Sequence, residues 1–202
     1  MLRSFILSLT LVIAFSVSAF ANNSPDDQIA LRSYVENLMT ESHELLHNKS
    51  LSEEQMKQQV STLLRANLHL NWMAKQSLGR NIKSVSKEQL KNFTKVYAEF
   101  VIHSYSNLVK SYKGEKGRLI RIHRISNNLF MVDTEILSPN DGTHTEVKYL
   151  VHELTNKGNI RFLVGDIITE GVSLLDSQRS EFNQILSNKG IEGLINDIQQ
   201  KQ

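Results

Sequence analysis

Residues 118–125, RLIRIHRI, mark the point where the hydrophobic period of this chain changes from 3.6 to 2. The segments NLFMVDTEIL (128–137), THTEVKYLVHELT (143–155) and IRFLVGDIIT (160–169) repeat that alternation. Their joints, SNN, SPNDG and NKGN, are rich in turn formers. Short joints between successive strands predict a four-stranded antiparallel meander. One parity is mostly apolar: Ile120 and Ile122; Phe130, Val132 and Ile136; Val147, Tyr149 and Val151; Ile160, Phe162 and Val164. The other mixes Arg121, His123, Asp133, Glu135, Lys148 and Arg161 with a few apolar groups. One face should therefore be covered and the other largely wet.

Upstream of this change the chain reads as helices. Residues 26–47 carry Leu31, Val35, Leu38 and Leu45 on one stripe. SLSEEQMKQQVSTLLRANL follows, with Ser50 and Glu53 at the spacing of a capping box. NWMAKQSL ends at Gly79, a residue suited to a left-handed cap. The run 86–110 places Phe93, Val96, Tyr97, Phe100, Val101 and Leu108 at helical spacing. After the strands, Phe182, Ile185 and Leu186 define a helix that stops at Gly190, with a last short helix beyond it. The expected fold is α+β: N-terminal helices packed on a curved four-stranded antiparallel sheet, with C-terminal helices closing the chain.

The first 21 residues read as an export signal rather than as fold. Arg3 is followed by the apolar run FILSLTLVIAFSVSAF and by Ala19-Phe20-Ala21, a small-x-small cleavage pattern. Residues 22–202 are then expected to form a single domain large enough for a sizeable core. The chain has no cysteine, so its stability owes nothing to disulfides and no lipidated cysteine follows the signal. Exported, mid-sized and cysteine-free, it reads as periplasmic. A formal charge of +2 without clustered basic residues does not fit a nucleic-acid binder.

The segment HELLH, His43 to His47, matches the H-E-x-x-H pattern of zinc hydrolases. On a helical wheel, however, His43 and His47 fall with Glu36 and Thr40, opposite the Leu31 stripe, and are expected to face water. A catalytic zinc site needs a third ligand and a cleft. The extended pattern asks for Gly at 50 and His at 53, where this chain has Ser50 and Glu53. A secreted zinc hydrolase using His43, Glu44 and His47 stays as an alternative; the simpler reading is a surface histidine pair, with no metal site and no enzyme. Ser173, in GVSLL, lacks the second glycine of a nucleophile elbow, and Asp166 and Glu170 suit caps better than a catalytic pair.

The C-terminal stretch FLVGDIITEGVSLLDSQRSEFNQILSNKGIEGLINDI resembles the signature of the MlaC, or toluene-tolerance, family. Asp166, Glu170-Gly171-Val172-Ser173, Arg179 with Phe182, and Gly190 with Gly193-Leu194 fit its order and spacing. Met73, Ala74, Leu78, Gly79, Gln89 and Phe93 resemble a second family segment. Phe162 stands where the family usually has Trp, and Ile82 where an aromatic is common. The resemblance implies an NTF2-like cupped sheet and a periplasmic phospholipid carrier that serves outer-membrane lipid asymmetry. Its implied partners are phospholipid, an outer-membrane lipoprotein–porin complex (MlaA-like) and an inner-membrane ABC transporter complex with an MCE-domain subunit (MlaD-like). No cofactor is implied beyond the bound lipid.

Acyl tails would lie in an apolar pocket with the headgroup near solvent, and few headgroup contacts would give weak headgroup selectivity. The expected lipid-binding residues are Phe93, Tyr97, Phe100, Ile122, Phe130, Val132, Val147, Tyr149, Val151, Phe162 and Val164. Plain core is the competing reading for each, because periodicity does not separate a packed core from a lined cavity. Lys75, Arg80 and Lys83 are expected on the solvated surface, with the pocket mouth, where they would meet phosphate, as their alternative. A ligand-free adaptor with a solid core is the third functional reading.

Overall fold

The structure, a computed structural model, describes residues 25–202. The proposed signal segment lies outside those residues. Five α-helices and five strands follow in order: α1 (Pro25–His47), α2 (Glu53–Asn67), α3 (Leu70–Leu78), α4 (Lys87–Ser106), β1 (Lys116–Ser126), β2 (Leu129–Leu137), β3 (His144–Asn156), β4 (Asn159–Thr169), β5 (Val172–Ser173) and α5 (Leu174–Gln199). The helices and the meander fall where the sequence pattern puts them. The sheet is antiparallel in the order β1-β2-β3-β4-β5, so it has one short strand more than expected.

Local chemistry sets the helix ends. Ser86 caps α4 and exchanges hydrogen bonds with Gln89. The cap of α2 is Ser52 paired with Gln55, not Ser50 with Glu53. Ser50 instead donates its hydroxyl to Asn48, and Glu53 lies in the first turn, where a carboxylate suits the helix dipole. At Gly79 the backbone takes φ +54°, and the chain continues as a 3₁₀ turn over Gly79–Ser84. A methyl group at position 79 would stand 2.8 Å from Cδ of Arg179, which itself donates from Nε to Gln76 O at 3.1 Å. The two sequence segments that carry the family resemblance thus meet at this glycine. Gly190, at φ +65°, breaks α5 where the sequence predicts a stop.

Two of the three irregularities in the sheet change the side-chain parity within its strands, the third lying at the end of β1 between Arg124 and Ser126. Register shifts between Leu119 and Arg121, and opposite Leu150 and Val151 at Gly165, insert extra residues. Such bulges bend a strand and flip the facing of the residues beyond them. Ile120 is consequently 45 % exposed and Leu119 takes the inward place; Ile160 is also on the outside. The outer face of β1 and β2 carries cross-strand pairs, Arg118 with Glu135 at 2.7 Å and Arg121 with Asp133 at 3.1 Å.

Most of the largest fully buried side chains lie on the helices rather than on the sheet. Phe93, Tyr97 and Phe182 from α4 and α5 meet with ring centroids 5.8–6.3 Å apart, and all three are fully buried. The Tyr97 hydroxyl donates to Gln178 at 2.6 Å, and burial pushes its pKa up. Met73, Leu78, Leu194 and Ile198 fill the space around them. Asp166 ties the sheet to this bundle. Its carboxylate accepts from the Leu175 and Ile167 amides at 3.1 and 2.9 Å and from the Ser173 hydroxyl at 2.6 Å. That is the structural use of the Asp166–Ser173 signature.

Candidate functional site

Away from the aromatic bundle, α1 and α2 stand off the inner face of the sheet. Between them lies a cavity of about 450 Å³, within the ~300–1,000 Å³ range of ligand sites. Its floor is Val132, Ile136, Tyr149, Val151, Val164 and Ile167; its walls are Val35, Leu38, Met39 and Leu46 of α1, Leu63 and Leu64 of α2, and Leu68 at the C-cap of α2. A second cavity of about 400 Å³ adjoins it and shares Ser42, Leu46, Leu63, Leu64, Tyr105, Tyr112 and Glu115. Leu45, Val60, Leu108, Val109 and Ser111 complete that second chamber.

The tyrosines inside are neutral. Tyr34 donates to Asn67 at 2.9 Å, and burial raises its pKa to about 12. Tyr105 is pushed to about 12 by burial and, less strongly, by Asp166. Burial likewise raises Tyr149, whose hydroxyl meets Thr134. Tyr149 is deeply placed yet keeps partly accessible surface, because that surface faces the cavity rather than bulk water. Among the residues lining either chamber, His43 and Glu115 are the only ones besides tyrosine that titrate. Apart from His43 and Glu115, the interior offers a hydrocarbon guest only apolar and neutral polar groups.

Of the residues expected at a lipid site, Val132, Tyr149, Val151 and Val164 line the cavity. Phe93, Tyr97, Phe100, Ile122, Phe130, Val147 and Phe162 do not; Phe93 and Tyr97 belong to the aromatic bundle, and Phe130 and Phe162 pack edge to face at 6.5 Å. Sequence reasoning missed most of the α1 and α2 wall. The available signal was the breadth of the apolar arc on α1, where Tyr34, Met39 and Leu46 widen the stripe beyond what a single sheet contact needs. Lys75, Arg80 and Lys83 are not at the mouth: Lys75 borders a groove between α3 and α4, Arg80 lies beside Arg179, and Lys83 is on the exposed surface.

The mouth is formed instead by the end of α1 and the segment after α4, and HELLH lies there. His43 is half-buried and lines the first chamber, which corrects the expectation that it faces water. The His43 and His47 ring centroids lie 4.0 Å apart with the planes tilted by 48°, and Tyr112 places its hydroxyl 3.2 Å from His43 Nδ1 and 3.0 Å from His47 Nδ1. His47 Nδ1 also donates to the His43 carbonyl at 3.0 Å. Glu44 points to solvent. Among the described residues, no group of three histidine, cysteine, aspartate or glutamate side chains is placed to hold a metal ion.

Sheet, helices and chambers together define an α+β shell built around a ligand-sized apolar cavity that opens at one polar rim. The MlaC protein family model matches residues 36–200, and the chain belongs to the MlaC family. It is similar to the intermembrane phospholipid transport system binding protein MlaC of Haemophilus influenzae, with 27 % identity over 146 residues that take in 70 % of this chain and 67 % of that protein. The fold is similar to that of a phospholipid-binding protein from Ralstonia solanacearum solved in complex with a phospholipid. The TM-score is 0.64 at 15 % identity, covering 86 % of this chain and 95 % of the other.

Proposed function

We propose that this protein is a non-enzymatic periplasmic phospholipid carrier, holding acyl tails in the two chambers and leaving the headgroup at the rim. The observation that carries the reading is the cavity itself: two adjoining apolar chambers, joined along one wall, match a ligand with two tails leaving one backbone. Two buried acyl chains gain on the order of 20 kcal/mol gross, at about 0.8 kcal/mol per methylene. Hydrophobic burial alone therefore retains the lipid, and release calls for a partner that opens or competes for the cavity. The family and the name of its Haemophilus relative, an intermembrane phospholipid transport system binding protein, support exchange of lipid between two membranes; the MlaA-like and MlaD-like complexes implied by the family resemblance are the partners we propose for that exchange. The export signal read at the N-terminus supports the compartment.

Lipid extraction and native mass spectrometry of the purified protein test the proposal. About one diacyl phospholipid per chain is the expected result. A chain that stays at its own sequence mass after exposure to phospholipid vesicles rejects it.

A further inference from the structure

Lys75 of α3 and Lys87, Lys91 and Lys95 of α4 line one groove of about 520 Å³ between the two helices. No basic run marks them in the sequence. The helix gathers the α4 lysines, because residues four apart share a side about 6 Å apart along the axis. All four side chains are exposed and none has an ion pair among the described residues. Five lysines elsewhere are neutralised: Lys57 and Lys110 meet Glu53, and Lys148, Lys189 and Lys201 meet Glu146, Asp197 and Glu181. Glu99, the one carboxylate lining the groove, is engaged by Arg65, and Lys95 acts on it only through space. Glu88, exposed on α4, lies outside the groove and pairs with none of the four. The formal charge of the whole chain is only +2, so this face is a local excess of positive charge.

The face offers charge and little else. None of the exposed large apolar side chains lies on it, and its aliphatic floor, Leu90 and Ala98, is partly buried. A protein partner would find no aromatic or apolar anchor, the feature that carries affinity at protein interfaces. No lining residue is fully buried, so no pre-positioned donor singles out one small anion. A layer of anionic headgroups needs only spread positive charge, and each lysine near such a surface strengthens binding about fivefold.

We infer that the α3–α4 face carrying Lys75, Lys87, Lys91 and Lys95 is the surface by which this protein adsorbs reversibly on an anionic phospholipid membrane. The inference rests on the carrier reading above, which brings the chain to bilayers, and adds where it touches them. Helix α4 runs on from the lysines to Tyr105, which lines both chambers, so one helix joins the adsorbing face to the lipid site. With no apolar wedge on the face, the contact is held by charge and is screened by salt.

The full chain is sedimented with vesicles of phosphatidylcholine alone and of equal parts phosphatidylcholine and phosphatidylglycerol. At about 0.1 M salt the wild type should pellet with the anionic vesicles only, and at about 1 M salt, where screening acts within about 3 Å, it should be released. Lys87→Gln with Lys91→Gln should weaken adsorption about 25-fold, and Lys75→Gln with Lys95→Gln should do the same from the other half of the face. Lys49→Gln with Lys157→Gln removes equal charge from two exposed turns and should pellet like the wild type. Urea unfolding checks each variant, and one folded groove pair suffices. Equal pelleting with both vesicle types, or groove variants that pellet like the wild type, overturn the proposal. A labelled decaglutamate peptide that binds the groove lysines while the anionic vesicles do not assigns the face to a protein partner and overturns it as well. Native mass spectrometry of the unpelleted protein reads the lipid load separately, so a chain that adsorbs yet carries no lipid rejects the carrier reading and leaves the adsorbing face standing.

Discussion

Gly165 lies against His152 so closely that a methyl group at position 165 would stand 2.6 Å from the His152 Nε2 atom and 3.0 Å from Trp72. The glycine is the bulge residue of β4, and its missing side chain lets the histidine and tryptophan rings pack at 4.4 Å. His69 completes the group, 5.0 Å from His152 and stacked on Trp72 at 6.1 Å. His69 also hands its amide hydrogen to the Val164 carbonyl at 2.8 Å, so the cluster fastens the α2–α3 elbow to the strand that floors the cavity. Gly165→Ala is predicted to cost about 1–3 kcal/mol by overpacking, because the atoms it meets are rings held in a stack. Urea unfolding of the two proteins gives the difference; a change within error would mean that the ring stack has room to slide.

The same cluster predicts how stability depends on pH. Burial lowers the pKa of His69, assisted by Arg161 and Lys75; burial also lowers that of His152, assisted by His69. His69 Nδ1 and His152 Nε2 are buried without hydrogen-bond partners, so a proton added at either has nothing to bond. The folded chain therefore binds fewer protons than the unfolded chain between the depressed values and the ordinary histidine value of about 6.5. Stability from these two groups is fully present above that value and is lost as pH falls through it toward the folded pKa. The urea midpoint should drop between pH 7.5 and 5, and His152→Gln should flatten the slope. Trp72, the chain's single tryptophan, reports the transition directly. A slope unchanged by the substitution would remove His152 from the explanation.

Four strands with a covered face were legible in the sequence, because alternation between residues 118 and 169 is a two-residue signal. A bulge adds one residue and reverses facing beyond it; no residue type announces this, which is why alternation alone puts Ile120 inside and the structure does not. The helix wheel placed His43 by its distance from the Leu31 stripe, but the sheet is only one neighbour of α1. The loop carrying Tyr112 covers the other side of the helix end, and that contact spans 69 residues of chain. Phe93 and Tyr97 pass for pocket lining when period and size are the only criteria. Phe182, brought in by α5, turns the same face into solid core.

Asp166 gives a prediction for the family signature. Its three hydrogen bonds hold the β4–β5 hairpin and the start of α5 in one unit, and the carboxylate is buried. Asp166→Ala should cost about 3 kcal/mol, since it strips charge-assisted bonds from buried amides and leaves those donors unmet. The measure is the free energy of urea unfolding. Lipid retained by the folded fraction should be unaffected, because Asp166 lines neither chamber.

Core and cavity make opposite predictions, and a matched pair of substitutions separates them. Leu46 belongs to the wall common to both chambers, is only half-buried, and has open volume in front of it. Leu46→Trp should place its ring in that volume, leave the urea midpoint nearly unchanged and sharply reduce bound lipid in native mass spectrometry. Tyr97→Phe does the reverse. Removing the hydroxyl leaves Gln178 Oε1 buried without its donor, at a cost of about 1–3 kcal/mol, while the chambers keep their shape and their lipid. Both readouts on both variants are needed, since a loss of lipid caused by unfolding would lower the two together. If Leu46→Trp keeps its full lipid load while folded, the tails do not lie between α1 and α2, and the volume there is an incidental gap in the packing.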